Sequence, residues 1–286
     1  MLFKNTSNKK IFLTIDFEDL YFDYKRSLKI KENKDFKEKA LWDCYELISK
    51  KLEFFQKDLK ITFFCTGVLA KQFPDLIRKI SRDGHEIACH YFYHDHANKD
   101  EINSFEKNIN FALESLSACA LNKINGFRAP YFSLNCKDHE HYKILSKYFL
   151  YDSSLNTFKE EDYKLLDIAV NNKLIFVPVT NYSFMNCINI RLGGTYFKIL
   201  NKKTIDLIYK FNITKNLLPI IYLHPYEFDH SKSFLVPYKE LRKTKENLKN
   251  YFRQYFWCLF NKNISSNLNA VSKEYEFGGR LMEAVK

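Results

Sequence analysis

Short apolar runs alternate with longer amphipathic segments along most of this chain. In the longer segments, apolar side chains recur three and four residues apart, which is the period of a helix with one buried face. The clearest of these segments span residues 40–55, 69–80 and 102–116. The short runs are rich in β-branched and aromatic residues, which is typical of buried strands. They are Ile11–Asp16, Ile61–Cys65, His85–Cys89, Ile124–Arg128, Tyr148–Tyr151, Leu174–Val179 and Pro219–His224.

This alternation predicts an α/β fold with parallel strands, because consecutive parallel strands are joined by helical crossovers. About seven strands favour a closed or nearly closed barrel, with an open doubly wound sheet as the alternative. The segment 155–216 is less regular, and we expect an insertion there beside the mouth of the barrel. We predict a barrel domain over residues 1–238 and a C-terminal helical extension over residues 239–286 that packs on it.

Charge and cysteine content narrow the class of protein. The 45 basic and 34 acidic residues give a net charge of +11, which favours anionic partners or reflects a lysine-rich solvated surface. No nucleic-acid-binding motif accompanies this charge, so no nucleic-acid partner is expected. The seven cysteines form no CxxC pair and indicate neither a disulfide framework nor a cysteine zinc site. With no secretory leader and no long apolar run, we expect a cytoplasmic protein.

Polar residues follow the downstream ends of five of the predicted strands. In parallel α/β barrels, active sites are built at this rim from residues of several strands. A functional site is therefore expected where these strand ends meet. The residues concerned are Asp16, Glu18, Asp19, His90, His94, Arg128, Asp152 and His224.

His90 and His94 have the i, i+4 spacing that places two imidazoles on one face of a helical turn. Such a pair can share a metal ion, provided that a third residue completes the ligand set. The acidic cluster that follows the first strand could supply a carboxylate. Two histidines and one carboxylate would leave a coordination position open for water or substrate.

Several segments, in order along the chain, resemble the motifs of the polysaccharide deacetylases of the NodB-homology type, carbohydrate esterase family 4. Tyr91 departs from the second motif, in which a serine or threonine follows the first histidine. The similarity extends from about residue 10 to residue 229. The matching segments are Leu13–Asp16, Gly84–His90 with His94, Gly126–Tyr131, Tyr151–Leu155 and Leu223–Pro225.

Finer details resemble the subgroup that accompanies exopolysaccharide and O-antigen biosynthesis. They are D-F-E-D, G-F-R-A-P-x-F-S, Y-D-S-S, Gly193–Phe197 and H-P-Y-E-F-D. The resemblance implies a distorted seven-stranded (β/α) barrel of the NodB-homology type. It also implies a hydrolase that removes an N-acetyl or related acyl group from an amino sugar, with a divalent metal, expected to be Zn²⁺.

Residue roles follow from the same resemblance. His90, His94 and a carboxylate would hold the metal, Asp16 would act as general base, and Arg128 would orient it. His224 would be the general acid that protonates the leaving amine. Asp152 would orient His224 or join the Arg128 network, and the backbone N–H of Tyr131 would complete an oxyanion hole. From the residues alone, Gly194 and Tyr196 form either a platform for a sugar or an ordinary turn.

The first motif can be aligned in two registers. In the first, Asp16 is the base, and Glu18 or Asp19 is the metal ligand. In the second, Glu18 is the base and Asp19 is the ligand. We choose Asp19 as the ligand, because both registers allow it. Relatives that act on cyclic amides carry N-[FY]-E-E here and work without metal, so metal-independent hydrolysis of a cyclic amide stays an alternative.

The expected substrate is an amino sugar linked to a nucleotide or a lipid. The aromatic segment 251–260 is interpreted either as a helix packed across the barrel or as a contact with the membrane surface. In the second case the protein would work at the inner face of the membrane. A catalytically silent carbohydrate-binding subunit is the remaining alternative. The sequence predicts neither the particular sugar nor the oligomeric state.

Overall fold

A mostly parallel sheet forms the centre of the protein. The computed structural model describes residues 9–30, 35–156, 160–184 and 188–285. Seven strands lie side by side in the order β9-β1-β2-β3-β4-β5-β6, and β10 pairs with the beginning of β1. The strands are β1 (Lys10–Phe17), β2 (Thr62–Cys65), β3 (Glu86–Cys89), β4 (Gly126–Phe127), β5 (Tyr151–Asp152), β6 (Ile175–Phe176), β7 (Asn181–Phe184), β8 (Ile188–Arg191), β9 (Ile220–Leu223) and β10 (Glu276–Phe277).

The seven predicted strands correspond to the seven parallel strands, and the prediction of a distorted barrel is confirmed. β4, β5 and β6 are shorter than the apolar runs that predicted them, with two residues each. An antiparallel hairpin of β7 and β8 belongs to the segment expected to be an insertion. Each of these two strands has four residues, and the sequence did not predict either of them.

Helices connect the strands and cover the outer face of the sheet. They are α1 (Leu20–Ser27), α2 (Glu38–Phe55), α3 (Gly67–Gln72), α4 (Pro74–Arg82), α5 (Ile102–Ser117), α6 (His139–Tyr148), α7 (Glu160–Ala169), α8 (Gly194–Ile199), α9 (Lys202–Thr214), α10 (Pro225–Phe228), α11 (Tyr238–Leu241), α12 (Asn247–Cys258), α13 (Asn263–Ser272) and α14 (Leu281–Ala284). Single 3₁₀ turns occupy Ala97–Lys99 and Pro130–Phe132. None of the helices in the described ranges has the length and hydropathy of a membrane-spanning segment.

One predicted helix is two helices. The apolar period from 69 to 80 predicted a single helix, but the chain leaves helical geometry at Phe73, where φ is −129° and ψ is 63°. Pro74 is the cause, since its ring disfavours helical geometry in the preceding residue and its nitrogen cannot donate a hydrogen bond. α4 therefore starts at Pro74, where a proline is well tolerated.

The pleat of β1 sorts its side chains between two environments. Ile11, Leu13 and Ile15 belong to the large apolar core beneath the helices. Phe12 belongs to a second cluster inside the sheet, with side chains from β2, β3, β5 and β9. Because successive side chains point to opposite faces, Thr14 and Asp16 lie on the same inner face as Phe12. The strand thereby presents Asp16 at its downstream end toward the barrel interior.

The C-terminal segment is more than a helical layer. After α12 and α13, β10 pairs in parallel with β1, with Lys10 opposite Glu276 and Ile11 opposite Phe277. The predicted extension over residues 239–286 thus contributes a strand to the main sheet. The domain boundary itself stays a prediction.

Candidate active site

A pocket of about 290 Å³ opens where the downstream ends of β1, β3 and β9 meet. It is lined by eight of the residues that the strand-end pattern and the motifs selected. These are Asp16, Glu18, His90, His94, Tyr131, Gly194, Tyr196 and His224. A larger cavity of about 740 Å³, beside α3 and α5, lacks such a set of chemical groups. The smaller pocket is therefore the candidate active site.

Glu18, His90 and His94 form a compact cluster at one wall of this pocket. The Oε2 atom of Glu18 lies 2.5 Å from Nε2 of His94 and 3.7 Å from Nε2 of His90. One nitrogen of each histidine and one oxygen of Glu18 lie within 4.8 Å of one another, and all three side chains are buried. Within the described residues, no other group of three such side chains comes together in this way.

The histidines reach this position through a loop. His90 directly follows β3, and the chain bends at Tyr91, whose φ is +67°. The prediction of a helical turn was therefore wrong, although the two imidazoles do meet, with ring centroids 5.2 Å apart. Nδ1 of His90 lies 2.7 Å from the carbonyl oxygen of Arg128. We assign the ring proton to Nδ1 as the donor, which leaves the lone pair of Nε2 on the side of Glu18.

The cluster fits a divalent metal ion by its chemistry. Two imidazole nitrogens and one carboxylate oxygen are a set of three protein ligands that suits zinc and similar ions and leaves a further position for water or substrate. Glu18 Oε2 is buried without a hydrogen-bond donor, since its close contact with His94 lacks hydrogen-bond geometry. Burial acts to raise the pKa of Glu18, but the positive charge of His94 in its protonated form outweighs it and holds this pKa well below its ordinary value. The carboxylate is thus in its ligand form.

Asp19, the ligand that we chose from the sequence, is engaged elsewhere. It is the N-cap of α1, where its Oδ1 accepts hydrogen bonds from the backbone N–H groups of Tyr21 and Phe22. Its Oδ2 accepts a third hydrogen bond, 2.6 Å long, from the N–H of Lys37. Capping uses the carboxylate because a helix begins with unpaired N–H groups. The structure therefore places Glu18, the alternative ligand, with the histidines in place of Asp19.

Asp16 and Arg128 form a buried ion pair on the inner face of the sheet. Nη1 of Arg128 lies 2.5 Å from Oδ1 of Asp16 and 2.9 Å from Oγ1 of Thr14. Nη2 donates to Oγ of Ser153 at 3.0 Å, and the guanidinium group lies over the ring of Phe64. These contacts fix Asp16 at the pocket wall, as the resemblance implied for Arg128.

Asp152 supports this pair indirectly, through Ser154. Its two oxygens accept hydrogen bonds from the N–H and the hydroxyl of Ser154, at 2.9 and 2.6 Å. The Oγ of Ser154 in turn accepts from the N–H of Ala129, next to Arg128. Burial raises the pKa of Asp152 to about 7, although these hydrogen bonds oppose the shift. Asp152 therefore supports the segment that carries Arg128, and its described hydrogen bonds do not reach His224.

His224 is oriented by Glu227. The Nδ1 atom of His224 lies 3.2 Å from Oε2 of Glu227, which also accepts the backbone N–H of His224 at 3.0 Å. Oε1 of Glu227 lies 3.2 Å from Nζ of the buried Lys198. Burial acts to lower the pKa of His224, but the hydrogen bond and charge of Glu227 raise it to about 9. The imidazole is therefore held in its proton-donating form.

A sequence signal for Glu227 exists. In a capping box, the side chain of the N-cap residue bonds to the backbone of the third helical residue, whose own side chain bonds to the backbone of the N-cap residue. His224 and Glu227 have this spacing at the start of α10. Lys198 has no such local signal, because it lies in α8 and reaches Glu227 only through the tertiary fold.

Tyr131, Gly194 and Tyr196 all line the pocket. The backbone N–H of Tyr131 donates no hydrogen bond among the described residues, and φ of this residue is +57°. Its ring packs on His94 with centroids 4.3 Å apart. Gly194 begins α8 with φ of +53°, a conformation that glycine adopts readily. Tyr196 is exposed at the pocket mouth, where a sugar ring could lie against it.

Asp23 is a pocket residue that the sequence did not single out. It lies on α1, is buried, and neither of its carboxyl oxygens has a hydrogen-bond partner among the described residues. Burial, together with the charges of Glu18, Asp19 and Asp95, raises its pKa well above the ordinary value. A buried carboxyl group without a partner is costly, so its presence beside the cluster suggests a ligand that supplies the partner.

Two family models match this chain. Residues 45–146 match the model described as polysaccharide deacetylase. Residues 150–280 match a model described as a domain of unknown function, DUF3473. The first match contains His90, His94 and Arg128, and the second contains Glu227 and His224. The two histidines of the cluster and His224 therefore fall in two different family models, and Asp16 and Glu18 precede both matches.

Solved structures with a similar course of the chain are distant in sequence. One, from Mycobacterium smegmatis and assigned to the polysaccharide deacetylases, is 18% identical over 96% of this chain and 94% of that one, with a TM-score of 0.48. A family 4 carbohydrate esterase from Streptomyces lividans is 17% identical over 74% and 92%, with a TM-score of 0.38. A pseudoenzyme of that family from Bacillus anthracis is 11% identical over 100% and 69%, with a TM-score of 0.46. At these values the site geometry, and not the overall likeness, decides the functional interpretation.

Proposed function

We propose that this chain, whose residues 45–146 form a polysaccharide deacetylase domain, is a metal-dependent hydrolase that removes an N-acetyl or related acyl group from an amino sugar. The observation that supports this most is the meeting of three groups in one pocket. They are the Glu18-His90-His94 cluster, the Asp16–Arg128 pair and the His224–Glu227 pair. Amide hydrolysis needs an activated carbonyl, a base for water and an acid for the leaving amine, and each group suits one of these tasks.

Glu18, His90 and His94 are the proposed metal ligands. When bound there, a divalent cation such as Zn²⁺ would polarise the acyl carbonyl and lower the pKa of a water molecule. The N–H of Tyr131 would donate to the developing oxyanion, since this donor is otherwise unused at the pocket wall. Glu18 replaces Asp19 in the proposed ligand set, because all three hydrogen bonds of Asp19 serve the backbone.

Asp16 and His224 are the proposed base and acid. Asp16, fixed by Arg128, would take a proton from the attacking water. His224 would give its proton to the nitrogen that leaves as the amine, and Glu227 would keep the imidazole charged until then. Arg128, Asp152 and Glu227 are positioning residues in this scheme.

The finer substrate assignment is also a proposal. We infer an amino sugar attached to a nucleotide or a lipid, in the biosynthesis of a bacterial surface polysaccharide, at the cytoplasmic side of the membrane. The motifs D-F-E-D and H-P-Y-E-F-D and the excess of basic residues support this. Asp23 would accept a hydrogen bond from a sugar hydroxyl, because none of the described residues is its hydrogen-bond partner and it lines the same pocket.

The test is release of acetate from a panel of N-acetylated sugars linked to nucleoside diphosphates or polyprenyl diphosphates. Activity should disappear after chelation and return when Zn²⁺ or another divalent ion is restored. Activity that persists after complete metal removal would favour the cyclic-amide alternative instead. Sugar binding without any turnover by the metal-loaded protein would favour the silent binding subunit.

A further inference from the structure

α12 has its polar and apolar residues on unexpected sides. The residues that this helix buries are Asn250 and Gln254. The residues that it exposes include Leu248, Phe252 and Phe256, with 56%, 65% and 58% of their surface accessible. A helix that only packs on a core would show the opposite distribution. Leu248, Phe252 and Phe256 therefore form an apolar side of α12 that faces away from the protein.

Hydrogen bonds anchor the buried side, together with Tyr251, Trp257 and Cys258, which pack against the core. Gln254 accepts a hydrogen bond from the N–H of Val236 and donates one to its carbonyl, both 2.8 Å long. The carbonyl of Asn250 accepts the hydroxyl of Tyr24 at 2.8 Å. Because both polar residues are satisfied, the helix sits firmly on the barrel while its aromatic residues remain available to another partner.

The exposed apolar residues are contiguous. Leu248, Phe252 and Phe256 follow one another at intervals of four, so they lie on one side of the helix. Leu259 and Phe260 follow the end of the helix, and both are about half exposed. We call these five residues the α12 face. An exposed apolar patch of this kind usually marks an interaction surface.

Charge around the α12 face favours an anionic partner. Residues 239–262 contain seven basic and two acidic side chains. Both acidic side chains are already paired, Glu240 with Lys25 and Glu246 with Lys249. A second copy of this chain would carry the same excess of positive charge. A two-fold contact through this face would therefore place like charges opposite each other, which is unfavourable.

A basic groove extends this positive surface. It adjoins α12, has a volume of about 1090 Å³, and is lined by Lys29, Lys243, Lys245 and Arg253. The only acidic side chain among its lining residues is Glu246. Aromatic and aliphatic residues flanked by lysines and arginines are the pattern with which helices lie in the interface of an anionic bilayer.

The α12 face is also next to the active-site pocket. Arg253 and Trp257, on the same helix, line that pocket, and Arg253 lines the basic groove as well. The guanidinium group of Arg253 lies 5.1 Å from the ring centroid of Trp257. A partner that covers the α12 face would therefore lie beside the pocket mouth.

We propose that the α12 face binds the surface of an anionic membrane and brings the pocket mouth beside the lipid headgroups. The apolar side chains would enter the interface, and the flanking basic residues would contact anionic headgroups. Resting on the proposed function, this arrangement favours the lipid-linked form of the substrate over the nucleotide-linked form. The membrane contact itself does not depend on that function.

The test measures co-sedimentation of the full chain with vesicles of phosphatidylcholine, with and without phosphatidylglycerol. We expect binding to vesicles that contain phosphatidylglycerol, weakened by high salt, and little binding to phosphatidylcholine alone. The double variant Phe252→Ser/Phe256→Ser should bind about tenfold more weakly or worse. Phe54→Ser is the matched control, because Phe54 lies on α2 and is 77% exposed, and it should bind like the parent chain.

Three outcomes would overturn the proposal. One is no binding to anionic vesicles, and another is unchanged binding by the double variant. The third is a dimer, seen by analytical ultracentrifugation, that the double variant abolishes. If the double variant does not fold, as judged by circular dichroism, Leu248→Ser/Leu259→Ser takes its place. Vesicle binding is measured without substrate, so its failure would leave the deacetylase proposal standing, and failure of acetate release would leave the membrane proposal standing.

Discussion

The two walls of the pocket are built in different ways. One wall, which we call the metal wall, carries Glu18, His90 and His94 on segments that follow β1 and β3, the two strands on either side of β2. The opposite wall, the acid wall, carries His224 at the end of β9 and depends on Glu227 and Lys198 behind it. The metal wall brings its functional atoms together directly. In the acid wall, by contrast, the buried charges of Glu227 and Lys198 set the pKa of one functional group, the imidazole of His224.

Lys198 shows how far the acid wall reaches along the chain. Its Nζ lies 3.2 Å from Glu227, 2.5 Å from the carbonyl of Trp257 and 3.1 Å from Oδ1 of Asn261. Two segments that are distant from Lys198 in sequence, one at Glu227 and the other at residues 257–261, therefore hold this charge in place. A buried ion pair of this kind stabilises only if its remaining hydrogen bonds are made, and here the C-terminal helices make them.

The largest loss of activity should come from a change in the metal wall. Glu18→Gln and Asp19→Asn test this as a matched pair, because each replaces a carboxylate by an amide of the same shape at adjacent positions. Glu18→Gln removes the anionic ligand, so bound metal and acetate release should both be lost. Asp19→Asn should retain metal and most activity but lower the free energy of unfolding by about 1 kcal/mol, because the amide nitrogen that replaces Oδ2 cannot accept the N–H of Lys37. Metal content by mass spectrometry, acetate release and thermal unfolding measure these outcomes.

The opposite result would reverse the ligand assignment. If Asp19→Asn lost the metal while remaining folded, and Glu18→Gln kept it, Asp19 would be the ligand as first chosen from the sequence. His96→Ala is a control, because His96 stacks on Tyr131 but is not part of the cluster.

His224→Asn should have the next largest effect and should separate the two walls. Loss of a general acid typically lowers kcat by about 10²- to 10⁴-fold. The metal content should be unchanged, because His224 does not belong to the cluster. Single-turnover kinetics with metal analysis would show this. A parallel loss of metal would mean that the two walls are not independent.

Glu227→Gln should change the pH dependence more than the maximal rate. His224 must be protonated to act as an acid, so activity falls as pH rises through its pKa. Glu227 raises this pKa to about 9, and its neutralisation should move the alkaline limb of the pH–rate profile to lower pH by about one unit or more. An unchanged alkaline limb would exclude His224 as the titrating acid.

The variant leaves Lys198 buried without its carboxylate, which could disturb folding. Glu227→Gln/Lys198→Met removes both charges and should show the same shift of the alkaline limb in a folded protein. Glu140→Gln, at an exposed ion pair on α6, is the control for charge removal as such.

The contrast between the walls also explains what could be predicted from the sequence. The strand runs and the residues at their ends were local features, and the sheet then brought Asp16, His90 and Arg128 together as expected. Asp19 was chosen over Glu18 because both registers allowed it, and these adjacent residues differ in that Asp19 caps α1 while Glu18 meets the histidines. That difference depends on Lys37, whose N–H meets Asp19 across the fold.

Long-range contacts account for the rest. Lys198 and Asn261 act on the pocket only because α8 and the C-terminal helices pack behind Glu227. The helix break at Pro74 had a local signal, since proline disfavours a helical residue before it. The loop between His90 and His94 had none, because i, i+4 spacing is compatible with a helix and with a bend at Tyr91.

The smallest effect should come from Asp23, which lies close to the metal wall without belonging to the cluster. If Asp23 accepts a hydrogen bond from a sugar hydroxyl, Asp23→Ala should raise KM by about three- to tenfold, the value of one such bond, with a smaller change in kcat. Metal content should stay constant. Asp95→Ala is the control, because Asp95 is a partly exposed partner of Arg26 outside the pocket lining. A substrate analogue that lacks the hydroxyl should lose affinity for the parent chain but not for Asp23→Ala, and equal losses in both would show that Asp23 does not contact the sugar.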